Sequence, residues 1–420
     1  MKDKRILLQH WRWEKLGNLF TVDKKQIDSS NPSFVNLPFL GLENIESHTR
    51  QYISSETSQD TGESTCFLFD NSHVLYGKLR PYLNKVYLPE QKGRCSMELL
   101  PLKPSAGYSR SFVALILQSE LVINYTIKHS TGGRMPRADI NKLVNLRVPI
   151  PIKVEERNEI VGRLEHKISE IEKMRQAALR QKEAVEAMQG AILRKVFYFQ
   201  EGGKLPQGWK WAKTIDVLDH SLKSPIRMGP FGSQLTKDEL VSDGVFVLGI
   251  EHVLNKKFDD TGNKFINDEK FKRLRGFEVK PGDVLITMMG TIGRTAVVPE
   301  GVRPTIISSH LLKMTLRKDV YPDYIAWVLS NLSPVYRQVH AESQGAIMQG
   351  LNTGIIKKLS FPLPSQFDEQ LAIVRTLERQ MTDVEKMHQA TNRQLEAIEA
   401  MPAAMLREVF DFDAETGAAN

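Results

Sequence analysis

A segment of roughly 49 residues, Pro149 to Phe197, returns without a gap as Pro362 to Phe410, 213 positions later, with about half of its residues identical. Pro149-Ile150-Pro151 becomes Pro362-Leu363-Pro364, Glu172-Lys173-Met174 becomes Glu385-Lys386-Met387, and Glu186-Ala187-Met188 becomes Glu399-Ala400-Met401. Leu193-Arg194 with Val196-Phe197 becomes Leu406-Arg407 with Val409-Phe410. A chain so built is constrained to two equivalent halves, each a longer stretch of different pattern followed by one copy of the segment.

The repeated segment reads as a helix. Val161, Leu164, Ile168 and Ile171 step by three and four, and after a phase slip Met174, Ala178, Val185, Met188 and Ile192 continue the pattern. The second copy has Val374, Leu377, Met381, Val384 and Met387, then Ile398, Met401 and Met405, with the slip in the same place. The spacing predicts a helix from Ile160 to Phe197, about 57 Å long at about 1.5 Å per residue. Each copy follows a Pro-x-Pro that cannot continue a helix backwards, and acidic residues (Glu155, Glu156; Asp368, Glu369) occupy the first turn, where the helix dipole favours them. Pro402 stands where the first copy has Gln189, so a kink is expected there. A polar helix with one apolar stripe must bury that stripe. Pairing the two copies antiparallel does so, and puts one globular domain at each end with approximate two-fold symmetry; the alternative packs each helix only on its own domain.

Charge divides along the same lines. Residues 1–148 carry 20 Lys/Arg against 14 Asp/Glu and residues 198–361 carry 22 against 17, whereas residues 362–420 carry 5 against 11. Basic globular stretches suit a polyanion, and the acidic last helix suits another partner, such as a protein. Cys66 and Cys95 lack the close spacing of metal or redox pairs and read as buried thiols. No N-terminal signal peptide and no bilayer-length apolar run is visible, so a cytoplasmic protein without membrane association is expected.

The two globular stretches echo each other more faintly. Trp11-Arg12-Trp13 parallels Trp209-Lys210-Trp211, as strands whose alternate residues face one core. Phe39-Leu40-Gly41-Leu42-Glu43-Asn44-Ile45 parallels Val247-Leu248-Gly249-Ile250-Glu251-His252-Val253, and His73-Val74-Leu75-Tyr76 parallels Asp283-Val284-Leu285-Ile286. Short strands between Gly, Pro, Asn and Asp, with modest helices near Phe112 to Leu117 and Tyr324 to Leu329, predict mixed α+β domains with curved sheets.

Several ordered runs are similar to one known family. These are Tyr-Gly-Lys-Leu-Arg-Pro-Tyr at 76–82, Arg-Met-Pro-Arg-Ala-Asp-Ile at 134–140, Gly-Pro-Phe-Gly-Ser at 229–233 and Gly-Asp-Val-Leu-Ile at 282–286. Gly290-Thr291-Ile292-Gly293-Arg294, Ser308-Ser309-His310 and the Gln-Gly-Ala-Ile-Met-Gln-Gly-Leu-Asn run at 344–352 complete the set. Duplicated and in this order, they resemble the specificity subunit of type I restriction-modification systems over essentially the whole chain. The resemblance implies an α+β fold of two target-recognition domains (1–148 and 201–361), two antiparallel spacer helices (149–200 and 362–412) and a short tail (413–420). It implies that each domain reads half of a split, asymmetric site on double-stranded DNA. The helices would dock two modification subunits that methylate adenine with S-adenosylmethionine. Restriction subunits driven by ATP and Mg would translocate and cut the DNA, and this chain would hold no cofactor and perform no catalysis. One departure is Glu155-Glu156-Arg157, where the family has a Glu-Gln pair that the second copy keeps as Glu369-Gln370.

For such a reader, Lys and Arg meet phosphates while Arg, Gln, Ser and aromatic side chains address base edges. The DNA-binding candidates in the first domain are Lys78, Arg80, Tyr82, Arg134 and Arg137, with Arg80 expected to be extended because it precedes Pro81. In the second they are Phe231, Ser233, Thr291, Arg294, Ser309, His310, Gln344 and Gln349. Each can equally be an ordinary surface side chain or, for the arginines, half of a structural ion pair. Asn31-Pro32-Ser33-Phe34 only partly matches the catalytic loop of amino-methyltransferases, no phosphate-binding Gly-x-x-x-x-Gly-Lys-Ser/Thr run occurs, and the ten histidines lack ligand spacing. The competing readings are a methyltransferase or nuclease acting alone, and a coiled-coil scaffold that does not read DNA.

Overall fold

The computed structural model describes residues 7–34, 36–54, 65–199, 203–342 and 351–412. It divides into two compact units, Met1–Leu179 with Arg393–Asn420, and Arg180–Asn392. Each long helix therefore begins in one unit and ends in the other.

Both units are built alike. In unit 1 the strand Trp11–Lys15 pairs antiparallel with Arg147–Pro151, setting Trp11 opposite Pro151 and Trp13 opposite Pro149. In unit 2 the strand Trp209–Lys213 pairs antiparallel with Ser360–Pro364, setting Trp209 opposite Pro364 and Trp211 opposite Pro362. Each pair is a two-stranded ribbon, the setting in which a strand tolerates proline, because not every backbone N–H has a ladder partner to serve. Next comes a four-stranded sheet. In unit 1 its order is Phe20–Val22, Leu99–Pro104, Val74–Gly77, Val86–Tyr87; in unit 2 it is Ile226–Met228, Leu311–Met314, Val284–Thr287, Thr295–Val297. All neighbours in these sheets are antiparallel. Each unit also has a second sheet with one parallel pair, four-stranded in unit 1 and three-stranded in unit 2: Phe39–Leu40 beside Gly93–Cys95 and Val245–Leu248 beside Thr305–Ile307. Short helices at Arg110–Leu117 and Pro322–Val328 cover the sheets where the sequence places them.

The duplication reaches the level of single bonds. Gly41 and Gly249 each open a tight turn in which the residue three further on reaches back, Asn44 Oδ1 accepting from Gly41 N at 2.9 Å and His252 Nδ1 from Gly249 N at 2.8 Å. Seven residues past each glycine, His48 and Lys256 share a left-handed φ of 62°. Residue type differs at His48 and Lys256, so only geometry reveals that second match.

The long helices run Val154–Phe197 and Phe367–Phe410, 44 residues each, six more than the periodicity predicts. Their acidic first turns are helical, which extends each rod to about 66 Å. The second helix runs unbroken through Pro402. In unit 1, Ile160 and Leu164 of the first helix share a core with Met405, Leu406 and Phe410 of the second, together with Trp11 and Phe112. In unit 2, Leu193 and Phe197 share a core with Val374 and Leu377. The start of one helix meets the end of the other within each unit, so the pair is antiparallel, and neither helix packs on one domain only. The stripe itself needs correction. Along the helices, the residues buried in both copies are Arg157 and Gln370 at the start, then Leu164 and Leu377, Ala178 and Thr391, Val185 and Ile398, Leu193 and Leu406, Phe197 and Phe410. Met174, Met188, Met387 and Met401 lie outside it and are exposed. Steps of seven residues continue from Leu164 past the supposed slip, because a supercoiled pair keeps a heptad seam rather than a free 3.6 period.

The departure at Arg157 resolves into the same joint. Arg157 is buried and donates to Pro151 O at 2.9 Å, Ile152 O at 3.0 Å and Gly107 O at 3.1 Å. At the matching place Gln370 donates to Pro364 O at 2.9 Å and accepts from Tyr321 N at 2.8 Å. Beside them Trp11 Nε1 donates to Glu156 at 2.9 Å, and Trp209 Nε1 to Glu369 at 2.8 Å. Different side chains thus weld strand, loop and helix start together in both units.

Cys66 and Cys95 are buried and form no disulfide. Asn31-Pro32-Ser33-Phe34 is a structural turn: Asn31 Oδ1 accepts from Ser33 N at 2.9 Å, and the buried Arg94 guanidinium lies 4.0 Å from the Phe34 ring centre.

Candidate nucleic-acid interface

The four-stranded sheet explains why residues distant in sequence become neighbours. In unit 2, strands Ile226–Met228 and Val284–Thr287 both end, and strand Leu311–Met314 begins, at one end of the sheet, since Met228 faces Leu312 and Thr287 faces Leu311. The loops there are 229–233, 288–294 and 308–310, which hold Phe231, Ser233, Thr291, Arg294, Ser309 and His310. Gly229 N donates to Leu311 O, and Met288 N to His310 O, both at 2.9 Å, so the loops are tied through that strand. A Cβ on Gly229 would overlap the Ser308 carbonyl oxygen, which is why only glycine fits there. Gly290 and Gly293 take left-handed φ values of 69° and 81° and fold the Thr291 loop back on itself. Phe231, Ser233, Thr291 and His310 are exposed, whereas Ser309 and Arg294 are half-buried. Gln344 and Gln349 lie outside the described residues.

Unit 1 uses the matching end of its own sheet. The loop 78–85 follows Val74–Gly77 and holds Lys78, Arg80 and Tyr82. A second loop, 129–138, folds over it: Arg80 N donates to Pro136 O at 2.7 Å and Ala138 N to Lys78 O at 2.8 Å, which brings Arg134 and Arg137 to the same edge. Arg80 is not extended. It has φ 50° and ψ 63°, a left-handed residue heading the short turn Pro81–Leu83. Proline disfavours the right-handed helical region for its predecessor, and the bond to Pro136 O together with the tight turn selects the left-handed alternative.

Charges at this edge differ in availability. Arg137 donates to Glu98 Oε1 through Nε at 2.9 Å and through an Nη at 2.8 Å, and Lys78 Nζ lies 3.8 Å from Glu98 Oε2. The carboxylate holds the Arg137 guanidinium above its ordinary value. Two cations around one carboxylate leave a net positive cluster whose members are already oriented. Arg80 and Arg134 are exposed, with no ion-pair partner among the described residues, so of the candidate cations at this edge they are the unpaired ones. The sequence reading missed Met135 and Met289, about half exposed at the tips of these two loops. Apolar tips among cations suit the methyl groups and stacked edges of bases, but a lone methionine in a loop gives no periodic signal.

Each unit also holds a largely covered cation whose charge faces a glutamate near the start of a long helix. Arg50 Nη1 lies 3.4 Å from Glu165, and burial pushes Arg50 below its ordinary value. In unit 2, Lys256 Nζ is 4.0 Å from Asp323 and 4.8 Å from the Trp327 ring centre. Burial pulls its amine down to about 8, opposed by Asp323 and Glu378. Glu378 is the repeat counterpart of Glu165. Among the described residues no group of three or more His, Cys, Asp or Glu could hold a metal ion, and no helix is long and apolar enough to cross a membrane.

This is a class of fold with a clear logic: duplicated α+β units carry basic loops at equivalent sheet ends and stand on two long antiparallel helices. Residues 235–397 match the model of the type I restriction modification DNA specificity domain. The chain is 22% identical over 218 residues to the EcoDI specificity subunit of Escherichia coli, covering 52% of this chain and 47% of that one. It is 24% identical over 171 residues to the EcoBI specificity subunit of Escherichia coli, covering 40% and 35%. The match thus spans about half or less of the length of these curated relatives. A chain from a solved type I R-M system superposes with a TM-score of 0.75 at 19% identity, covering 96% of this chain and 98% of that one. The HsdS subunit from Thermoanaerobacter tengcongensis gives 0.59 at 19% identity, with 97% and 98% covered. Residues 235–397 thus match a DNA specificity domain, and the whole chain resembles in fold the specificity subunits of type I restriction-modification systems.

Proposed function

We propose that the chain reads a bipartite, asymmetric site on double-stranded DNA in a type I restriction-modification complex, one half with the sheet-end loops of each unit. The observation that carries this reading is the placement of cation-bearing loops at the same end of the same sheet in both units. Arg80, Arg134 and Arg294 meet phosphates or guanines, Thr291, Ser309 and His310 address base edges, and Tyr82, Phe231 and the two methionines supply apolar contact. The chain itself catalyses nothing. Two modification subunits dock on the long helices and methylate with S-adenosylmethionine, and restriction subunits using ATP and Mg join them in the cytoplasm.

The test is binding by the assembled complex to duplexes with and without the methylated target, over a range of salt. Selective binding that weakens steeply with salt is expected; equal binding to all sequences contradicts the reading. Isolated chain given labelled S-adenosylmethionine and DNA is expected to transfer no methyl group, and transfer would favour a methyltransferase acting alone.

A further inference from the structure

Arg194 is the repeat counterpart of Arg407, yet the two arginines meet different surroundings. In unit 1, Arg407 is ion-paired through Nε with Glu120. Glu120 follows Ser119, whose hydroxyl donates to Ile116 O at 2.6 Å just past a short helix. The matching serine of unit 2 is Ser330, which donates to Trp327 O at 3.0 Å, and the residue after it is Asn331. The duplication kept the arginine and put a neutral amide where its carboxylate partner stood.

A cleft of about 180 Å³ results, with Arg194, Asn331, Ser333, Tyr336 and Arg337 in its wall and no carboxylate. Both arginines are exposed, and neither has an ion-pair partner among the described residues. Asn331 Oδ1 is buried with no hydrogen-bond partner among those residues, an acceptor that a water accompanying a bound anion can satisfy. The cleft lies directly behind the Thr291 loop. Asn331 N donates to Gly293 O at 2.8 Å, Asn331 Nδ2 donates to Ile292 O at 3.3 Å, and the Tyr336 ring closes on Gly293.

We propose that Arg194 and Arg337 clamp a backbone phosphate of the DNA beside the half-site read by unit 2, an inference that rests on the DNA-reading proposal. A strand whose bases meet Thr291 and Arg294 carries its phosphates past the flank of that loop, and planar guanidiniums match their oxygens. Because Arg194 belongs to a long helix, the contact ties the register of the duplex to the helix as well as to the loops. A carboxylate from a partner protein fits the same charge, but contact with the reading loop favours DNA.

The clamp is tested in the complete complex with fluorescein-labelled duplexes of about 40 base pairs, one carrying the mapped target and one scrambled, across about 50 to 200 mM salt. The R194Q/R337Q double variant is expected to reduce the slope of log K against log salt by about 0.9, the value for one lost phosphate contact, on both duplexes. The ratio of target to scrambled affinity should stay unchanged. N331E, which restores the carboxylate of unit 1, is expected to act in the same direction, and R407Q to leave the slope alone. An unchanged slope in the double variant overturns the clamp, as does a variant that loses its modification subunits while binding DNA with the wild-type slope. Wild-type complex that fails to prefer the target defeats the reading of sequence, while the slope still decides the clamp.

Discussion

Arg157 and Gln370 occupy equivalent places at the two helix starts, each donating to the carbonyl of the last strand proline. Removing Arg157 strands three carbonyl acceptors in a buried joint. R157A is therefore expected to lower stability by about 3 kcal/mol, whereas R157Q, which borrows the solution of unit 2, should stay within about 1 kcal/mol of wild type. Urea denaturation of the three proteins checks this, and equal losses would show that the charge rather than the hydrogen-bonding geometry matters. Lys256 gives a pH signature. Its native amine titrates near 8 because it is buried against Trp327, while the unfolded side chain titrates near its ordinary value of 10.5. Between those values the unfolded chain holds a proton that the native lysine has lost. Stability should rise with pH across that window, by up to about 3 kcal/mol, and should hold flat below it. K256M should lack the rise in denaturation curves measured across pH; an identical rise in the variant would assign it elsewhere.

Elements were legible to different depths. The helices announced themselves through repetition, and the short covering helices near Phe112 and Tyr324 through apolar runs. The seam was misread because local spacing counts Met174 and Met188 as apolar, whereas packing selects one heptad line through Leu164, Ala178 and Val185. L164A and L377A should each lose about 2 to 5 kcal/mol, since both leucines are fully buried, and M174A should change stability by less than about 0.5 kcal/mol. Thermal or urea unfolding decides it, and a large loss in M174A would restore the slipped stripe. Candidate loops were legible as Gly-rich and basic runs. Their convergence was not, because it follows from sheet order, which no single strand encodes. Arg80 shows the same limit at finer grain: the rule for a residue before proline is local, and a backbone bond to Pro136, 56 positions away, set the conformation. The equivalence of His48 and Lys256 was invisible for a related reason, since a left-handed turn preserves a backbone angle and leaves residue type free.

At the scale of the whole chain, duplication explains both likeness and difference. Strand pairing, glycine turns and helix joints recur because each unit solves the same packing problem, and a helix that starts in one unit finishes in the core of the other. Charges at matching positions diverge, Arg407 paired with Glu120 and Arg194 facing Asn331, which under the clamp proposal leaves only the arginine of unit 2 open to a phosphate. The most direct test is to map methylated sites in cells expressing the chain with the proposed modification subunits, alongside a T291A/H310A variant. The account predicts a split target in wild type, with only one of its two halves altered or relaxed in the variant. A continuous target, or a variant that changes both halves together, would contradict it.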